Sequence, residues 1–432
     1  MQYLKKMILE REKNPGVGIY SCCSANSWVL EAAMLRAKRN NTPVLIEATA
    51  NQVNQFGGYT GMKPADFYSY VEQCACKTGL PMEQVILGGD HLGPLTWADL
   101  PTDAAMANSE ELVREYVLAG FEKIHLDTSI RLAEDTDGLD DQTIAQRGAQ
   151  LCRVAEQAYQ ERKKTVPDAA APVYIIGSEV PIPGGMQQTH SISVTSKEAC
   201  KNTLETYHRV FAQYGLEDAL KRVIGLVVQP GVEFGNEEVC EYQSNAAQEL
   251  VSVLKDYPQI VFEGHSTDYQ TRRALSEMVS DGIAILKVGP ALTFMLREAL
   301  FALEHIEREL LLGSGRTLSE FRATAEFAML QNDSNWKKHC TGDGNRQKLE
   351  RAFGLSDRVR YYLPVPEVRE AEKRLIYNLS GVRIPYYLLS QYLPVQYAKV
   401  REGLLANDVT ELILDHIGCL CDDYLAATGQ LQ

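Results

Sequence analysis

Apolar residues over the first 312 positions follow a repeating rhythm. A short run of β-formers bounded by Gly, Pro or Asn is followed by a longer stretch whose apolar positions fall three or four apart. The short runs read as buried strands and the longer stretches as amphipathic helices. After a mixed-charge helix that ends at Pro15-Gly16, strands are predicted at Val17–Ser24, Val44–Thr49, Val85–Gly89, Lys123–Asp127, Val173–Ser178, Ile224–Val228, Ile260–Glu263 and Ala284–Val288. Helices are predicted between them at Ser27–Arg39, Pro64–Thr78, Ser109–Ala119, Asp140–Lys163, Ser196–Tyr214, Gln243–Lys255 and Thr271–Ser280, with a last one at Ala291–Leu312. Eight strand–helix units in succession predict an α/β fold, the (β/α)8 TIM barrel. A doubly wound open sheet is the rival, but its G-x-G-x-x-G fingerprint after the first strand is missing.

The rhythm stops near Gly313. Helical patterns follow at Leu318–Gln331, Gln347–Phe353, Glu367–Asn378, Pro385–Leu393 and Val409–Leu425. The chain therefore divides into a barrel, residues 1–312, and a C-terminal α-helical extension, residues 313–432, packed on the barrel and able to lend loops to a site.

Composition narrows the partners. The chain has 432 residues, 45% hydrophobic and 23% charged, enough for a large core. A net charge of −14 repels nucleic acid and anionic membranes, so neither is an expected partner. Ten cysteines form no metal-knuckle array, no signal peptide is evident, and no apolar run is long enough to span a bilayer. A reduced, cytoplasmic protein is the expectation.

In barrels of this kind the chemistry collects where the strands end. The strand ends here carry Glu47, Asp90 with His91, His125 with Asp127, Glu179, Gln229, Glu263 with His265 and Asp268, and Lys287. Any one of these can be a satisfied structural polar residue. So many ionisable groups converging on one face are costly unless they bind something. Mixed imidazoles and carboxylates suit a divalent cation such as Zn²⁺, Mn²⁺ or Mg²⁺, which polarises a sugar carbonyl. Asp90, Glu47, Glu179 and Asp127 are the candidates for moving protons. Lys287 raises a rival, a Schiff-base lysine, against the plain alternative of a lysine paired with a barrel carboxylate.

Anion binding has candidates too. Gly264, Ser266, Thr267 and Asp268 follow the seventh strand and Gly289 follows the eighth, the usual phosphate cradle of this fold. Arg358 and Arg360 can reach a second phosphate or a carboxylate, with surface salt bridging as the alternative. The loop from Asn51 to Gly61 is long enough to act as a lid. There is no G-x-x-x-x-G-K-[ST] sequence, and Gly313-Ser-Gly-Arg-Thr317 is too poor a match to argue for ATP.

Seven stretches then carry a resemblance over essentially the whole chain: Ile46–Met62, Gly88–Pro94, Val228–Phe234, Gly264–Gln270, Leu286–Phe294, Ser356–Tyr362 and Ser390–Pro394. They resemble the GatZ/KbaZ family, the accessory, non-catalytic subunits of class II D-tagatose-1,6-bisphosphate aldolase, formerly labelled tagatose-6-phosphate kinase. The resemblance implies a class II aldolase-like barrel in tagatose, galactitol or amino-sugar metabolism. It implies a catalytic Y-type aldolase subunit as partner, which the chain activates and stabilises, and a homo-oligomeric state. Some relatives are described as ketohexose-phosphate 4-epimerases, which implies the alternative: a metal-dependent enzyme converting fructose 6-phosphate to tagatose 6-phosphate. A weaker resemblance to catalytic class II aldolases implies that Asp90 transfers protons and that His91 and His265 bind a metal, Zn or Mn. Those aldolases carry a third imidazole on the sixth strand, where this chain has Gln229-Pro-Gly231, so the resemblance implies either a demoted aldolase or a changed metal site in which Glu179 or Asp127 completes the ligand set.

Overall fold

Each predicted strand pairs in parallel with its sequence neighbour, and the last returns to the first, closing a barrel. In the computed structural model, residues 3–135, 139–178 and 192–431 are described. The strands are β1 (Ile19–Cys22), β2 (Val44–Thr49), β3 (Val85–Leu92), β4 (Lys123–Leu126), β5 (Val173–Ile176), β6 (Val223–Val228), β7 (Val261–Gly264) and β8 (Ile283–Val288). The connecting helices start and stop where local chemistry dictates. Asn26 caps the helix Ser27–Asn40 by accepting from the Trp28 N–H at 3.0 Å. Pro64 opens the next helix, and Gly79, in the left-handed region, ends it.

β3 departs from expectation. It does not stop at Gly89 but resumes pairing at Leu92 opposite Leu126, after a register shift. His91 sits in the left-handed region (φ 48°) inside that irregularity. A bulge sets extra residues against the partner strand and re-aims their side chains. Here it buries both Asp90 and His91 at the mouth of the barrel.

Below the mouth the interior is apolar. Ile19, Leu45, Val173, Ile175, Val261 and Ile285 fill it, and the helix Tyr3–Arg11 inserts Leu4, Met7 and Ile8 as a plug. The extension contains the helices Phe321–Gln331, Gly344–Phe353, Pro366–Leu379, Tyr386–Tyr392, Pro394–Arg401 and Val409–Ala427. Pro394–Arg401 was not expected; Pro394 opens a new helix there. The last helix packs against the helices that follow β1, β7 and β8 and touches β1, so the outer ring closes through the end of the chain. Arg36 fastens it through Asp415 (2.8 Å) and Asp422 (3.0 Å). Among the described residues, no helix is long and apolar enough to cross a membrane.

Candidate active site

Strand alternation places Glu47, Lys123, Glu263 and Lys287 in the layer just above the apolar one, with His125 a step higher on the strand of Lys123, all of them buried. Lys123 Nζ lies 2.6 Å from Glu47 Oε1 and 2.7 Å from Glu263 Oε2. Lys287 pairs with the other oxygen of Glu47 and stands 3.0 Å from Asp90 Oδ2. Lys287 is thus an ion-paired lysine. Gly88 makes room for this arrangement, because a Cβ there would collide with the Glu47 carboxylate.

Three imidazoles meet above the lysines. The rings of His91 and His265 have centroids 4.8 Å apart, those of His91 and His125 5.1 Å, and those of His125 and His265 5.2 Å. His91 Nδ1 is bonded to Asp127 Oδ2 at 2.8 Å, which fixes the ring. Asp90 Oδ1 is 2.9 Å from His125 Nδ1, and Glu263 Oε1 is 3.0 Å from His265 Nε2. Burial pushes the Asp90 carboxyl up, but His91, the His125 hydrogen bond and His265 outweigh it and hold Asp90 well below the usual carboxylate range. Burial likewise works against ionised Asp127, and its bond to His91 reverses the direction.

Asp90, His125, Glu263 and His265 each offer one ligand atom, all within 4.8 Å of one another. His125 Nε2 is buried and meets no hydrogen-bond partner among the described residues. An orphaned imidazole nitrogen among carboxylates fits a divalent cation. His91 is outside this foursome, although its ring touches two of its members.

A cavity of about 470 Å³ opens above the cluster. Of the residues singled out in the sequence, Asp90, His91, His265, Ser266, Asp268, Lys287, Gly289 and Arg360 line it. Glu47, Asp127, Gly264, Thr267 and Arg358 do not. Glu47 is spent on the lysines and on Ser21 at 2.7 Å. Asp127 holds His91 from behind, Thr267 Oγ1 donates to the Lys287 carbonyl at 2.7 Å, and Gly264 leaves no room for a Cβ beside Ile283. Glu179 and the Pro181–Gly185 loop lie outside the described residues.

Two details alter the expected anion site. Gly289 N–H does not face the cavity as a free donor. It and the Ala291 N–H donate to Asp268 Oδ1 at 3.0 and 2.8 Å, so a carboxylate already caps the helix Pro290–Leu311. Burial pushes Asp268 up to about 6, against the lowering effect of those two amides and of Arg360. Arg360, from the extension, lines the cavity with its guanidinium 4.4 Å over the Tyr361 ring. Its hydrogen bonds go to the carbonyls of Ser356 and Asp357 (the latter at 2.9 Å) and to the Tyr361 hydroxyl (3.0 Å), and to no carboxylate among the described residues.

The Asn51–Gly61 loop forms a pinned wall. Asn54 Oδ1 accepts from the Phe56 and Gly58 amides, and Tyr116 donates to the Val53 carbonyl at 2.9 Å. Its Tyr59 meets Tyr361 edge to face across the mouth, centroids 5.2 Å apart. Tyr361, Cys23 and Lys123 were not singled out from the sequence. For Lys123 a signal existed: it alternates with His125 and Asp127 on one face of a strand.

The GatZ/KbaZ-like family profile, described as D-tagatose-1,6-bisphosphate aldolase subunit, matches residues 4–429. The chain belongs to that family. A crystal structure of a probable tagatose 6 phosphate kinase from Sinorhizobium meliloti 1021 is 46% identical, with a TM-score of 0.86 over 95% of this chain and 100% of that one. The YdjI aldolase from Escherichia coli K12 (13% identity, TM-score 0.40, 83% of this chain and 95% of that one) is a far looser likeness. So is fructose-bisphosphate aldolase from Campylobacter jejuni (17%, 0.42, 87% and 91%). For this member of the GatZ/KbaZ-like family the barrel and its helical extension stand, as does a buried cluster able to take a metal.

Proposed function

We propose that this chain is an enzyme in its own right, a metal-dependent 4-epimerase interconverting fructose 6-phosphate and tagatose 6-phosphate by retro-aldol cleavage and re-addition. The observation that carries the reading is the orphaned His125 Nε2 within a four-ligand cluster beneath a 470 Å³ cavity. A barrel kept only to steady a partner has no need of it. His125, Glu263 and His265 would hold the ion, Zn²⁺ or Mn²⁺ by the chemistry of the donors, with His91 as the further imidazole and Asp90 kept for proton transfer. When bound, such an ion supplies Lewis acidity at the C2 carbonyl. Asp90 takes the C4 hydroxyl proton as the C3–C4 bond breaks, and returns it after the aldehyde fragment has turned over. Lys287, 3.0 Å from Asp90 Oδ2, steadies the carboxylate through both steps. Arg360, which lines the cavity and spends no hydrogen bond on a carboxylate among the described residues, holds the phosphate at the mouth, and the Tyr59–Tyr361 contact keeps the fragment in.

The second reading is an accessory subunit that activates and stabilises a catalytic Y-type tagatose-bisphosphate aldolase, itself homo-oligomeric, in the cytoplasm; what supports it is that the family is described as an aldolase subunit. One experiment separates the two. The purified chain with Zn²⁺ or Mn²⁺ and no partner is expected to convert fructose 6-phosphate to tagatose 6-phosphate, and Asp90→Asn to abolish this. No turnover with any common divalent ion, together with Asp90→Asn still raising the activity of the aldolase subunit, leaves the accessory reading standing. Metal analysis of His265→Ala and His91→Ala tests the ligands. Loss in both brings His91 into the set, and loss in His265→Ala alone leaves His91 out of it.

A further inference from the structure

In this architecture the N-terminus of the helix after β8, with the turn after β7, is where a ligand phosphate is ordinarily received. Here that cradle is filled from within. Asp268 Oδ1 accepts both the Gly289 and the Ala291 N–H, at 3.0 and 2.8 Å. The side chain is 3% exposed, yet it lines the cavity. Ser266, beside it, is held in the left-handed region (φ 53°), and Thr267 is tied to the Lys287 carbonyl, so the turn has no slack to swing the carboxylate away. A phosphate dianion competing for the same amides would meet the like charge of a buried carboxylate, which repels it strongly where water does not screen the pair.

We infer that Asp268 is a specificity-determining residue: it stands where a C1 phosphate would bind, excludes 1,6-bisphosphates, and accepts a hydrogen bond from a free C1 hydroxyl instead. This rests on the proposed sugar-phosphate reading and deepens it. The reacting end of the ketose lies against the cluster with C1 unphosphorylated, and the one phosphate points outward, where Arg360 lines the cavity. The substrate class is then ketohexoses phosphorylated only at the end remote from the carbonyl.

The test is a calorimetric titration of the metal-loaded protein with inorganic phosphate, fructose 6-phosphate and fructose 1,6-bisphosphate. Wild type is expected to bind the monophosphate at least tenfold more tightly than the bisphosphate, and inorganic phosphate hardly at all. Asp268→Gly, which opens the cradle, is expected to gain at least tenfold in affinity for inorganic phosphate and to narrow the mono-over-bisphosphate ratio by a similar factor. Asp268→Ser can still cap the helix by its hydroxyl while vacating the space, so it carries the same test if the glycine variant does not fold. A folded variant with no gain for phosphate or bisphosphate overturns the inference, as does wild type preferring the bisphosphate. If wild type binds neither sugar but the variants gain phosphate, the plug stands and the sugar-phosphate reading falls.

Discussion

Leu45 and Glu47 lie two residues apart on β2 and point into the same barrel. So do Ile19 and Ser21 on β1, Val261 and Glu263 on β7, and Ile285 and Lys287 on β8. The lower member of each pair belongs to an apolar cluster sealed by the N-terminal helix; the upper three charges belong to a buried ion-paired network at the cavity floor. Both layers are equally buried, so burial is not what separates them. The lower layer is stabilised by removal of apolar surface from water. The upper layer gives up hydration that its ion pairs only partly restore, and a hydrophobic replacement of such a network is often neutral or stabilising. A barrel selected for stability alone would continue Leu, Val and Ile upward. The charges two residues higher are kept for what they do at the cavity floor.

The comparison breaks most visibly at Lys123. Lys123→Met leaves Glu47 and Glu263 buried with their shared cation gone, and a loss of roughly 3–5 kcal/mol is expected. Urea unfolding measures it. Adding Glu47→Gln and Glu263→Gln to the same chain should restore most of that loss while abolishing metal uptake. A single Lys123→Met within ~1 kcal/mol of wild type would mean that the network is not charged in the way its geometry implies. In the lower layer, Leu45→Ala should cost ~2–5 kcal/mol by leaving a cavity, with metal content and ligand affinity unchanged. If instead Leu45→Ala loses the metal, the two layers are one mechanical unit and the contrast dissolves.

The barrel was legible because its signal is local: strand and helix periods alternate eight times, and nothing in the tertiary structure overrides them. The bulge in β3 was not legible, since Gly89-Asp90-His91 reads as a strand end and only pairing with β4 extends it to Leu92. The same gap separates candidate residues from their roles. Asp127 and Glu47 carry the right chemistry at the right strand ends. Whether a carboxylate faces the cavity or the back of a histidine depends on which residues stand across the barrel, and that is long-range information. Gly289 shows this most clearly. A glycine opening a helix after β8 has the pattern of an anion cradle, and only the fold brings Asp268 onto it.

The smallest effect sets two buried glutamates against each other. Glu263 has Lys123 beside it. Glu233, on the hairpin strand Glu233–Phe234 near the mouth, is 0% exposed, and its Oε2 meets no donor. Burial therefore pushes Glu233 up to about 7, despite hydrogen bonds from the Phe234 N–H and Ser266. The sign follows from proton counts. Between the unfolded value, 4.5, and about 7 the folded chain keeps a proton that the unfolded chain releases, so stability is full below that window and falls as pH rises through it. At ~1.4 kcal/mol per pH unit the whole loss over that window is about 3–4 kcal/mol, an upper bound if the hairpin admits water. Glu233→Gln removes the titrating group. The variant should match wild type near pH 4 and exceed it by up to about 3 kcal/mol at pH 8, read from urea midpoints at the two pH values. Glu263, held below its usual range by Lys123 and His265 despite its burial, should push the opposite way, contributing stability that is lost only as the solution is acidified. If Glu233→Gln leaves the pH profile unchanged, Glu233 has a partner in solution, and it belongs with Glu263 rather than against it.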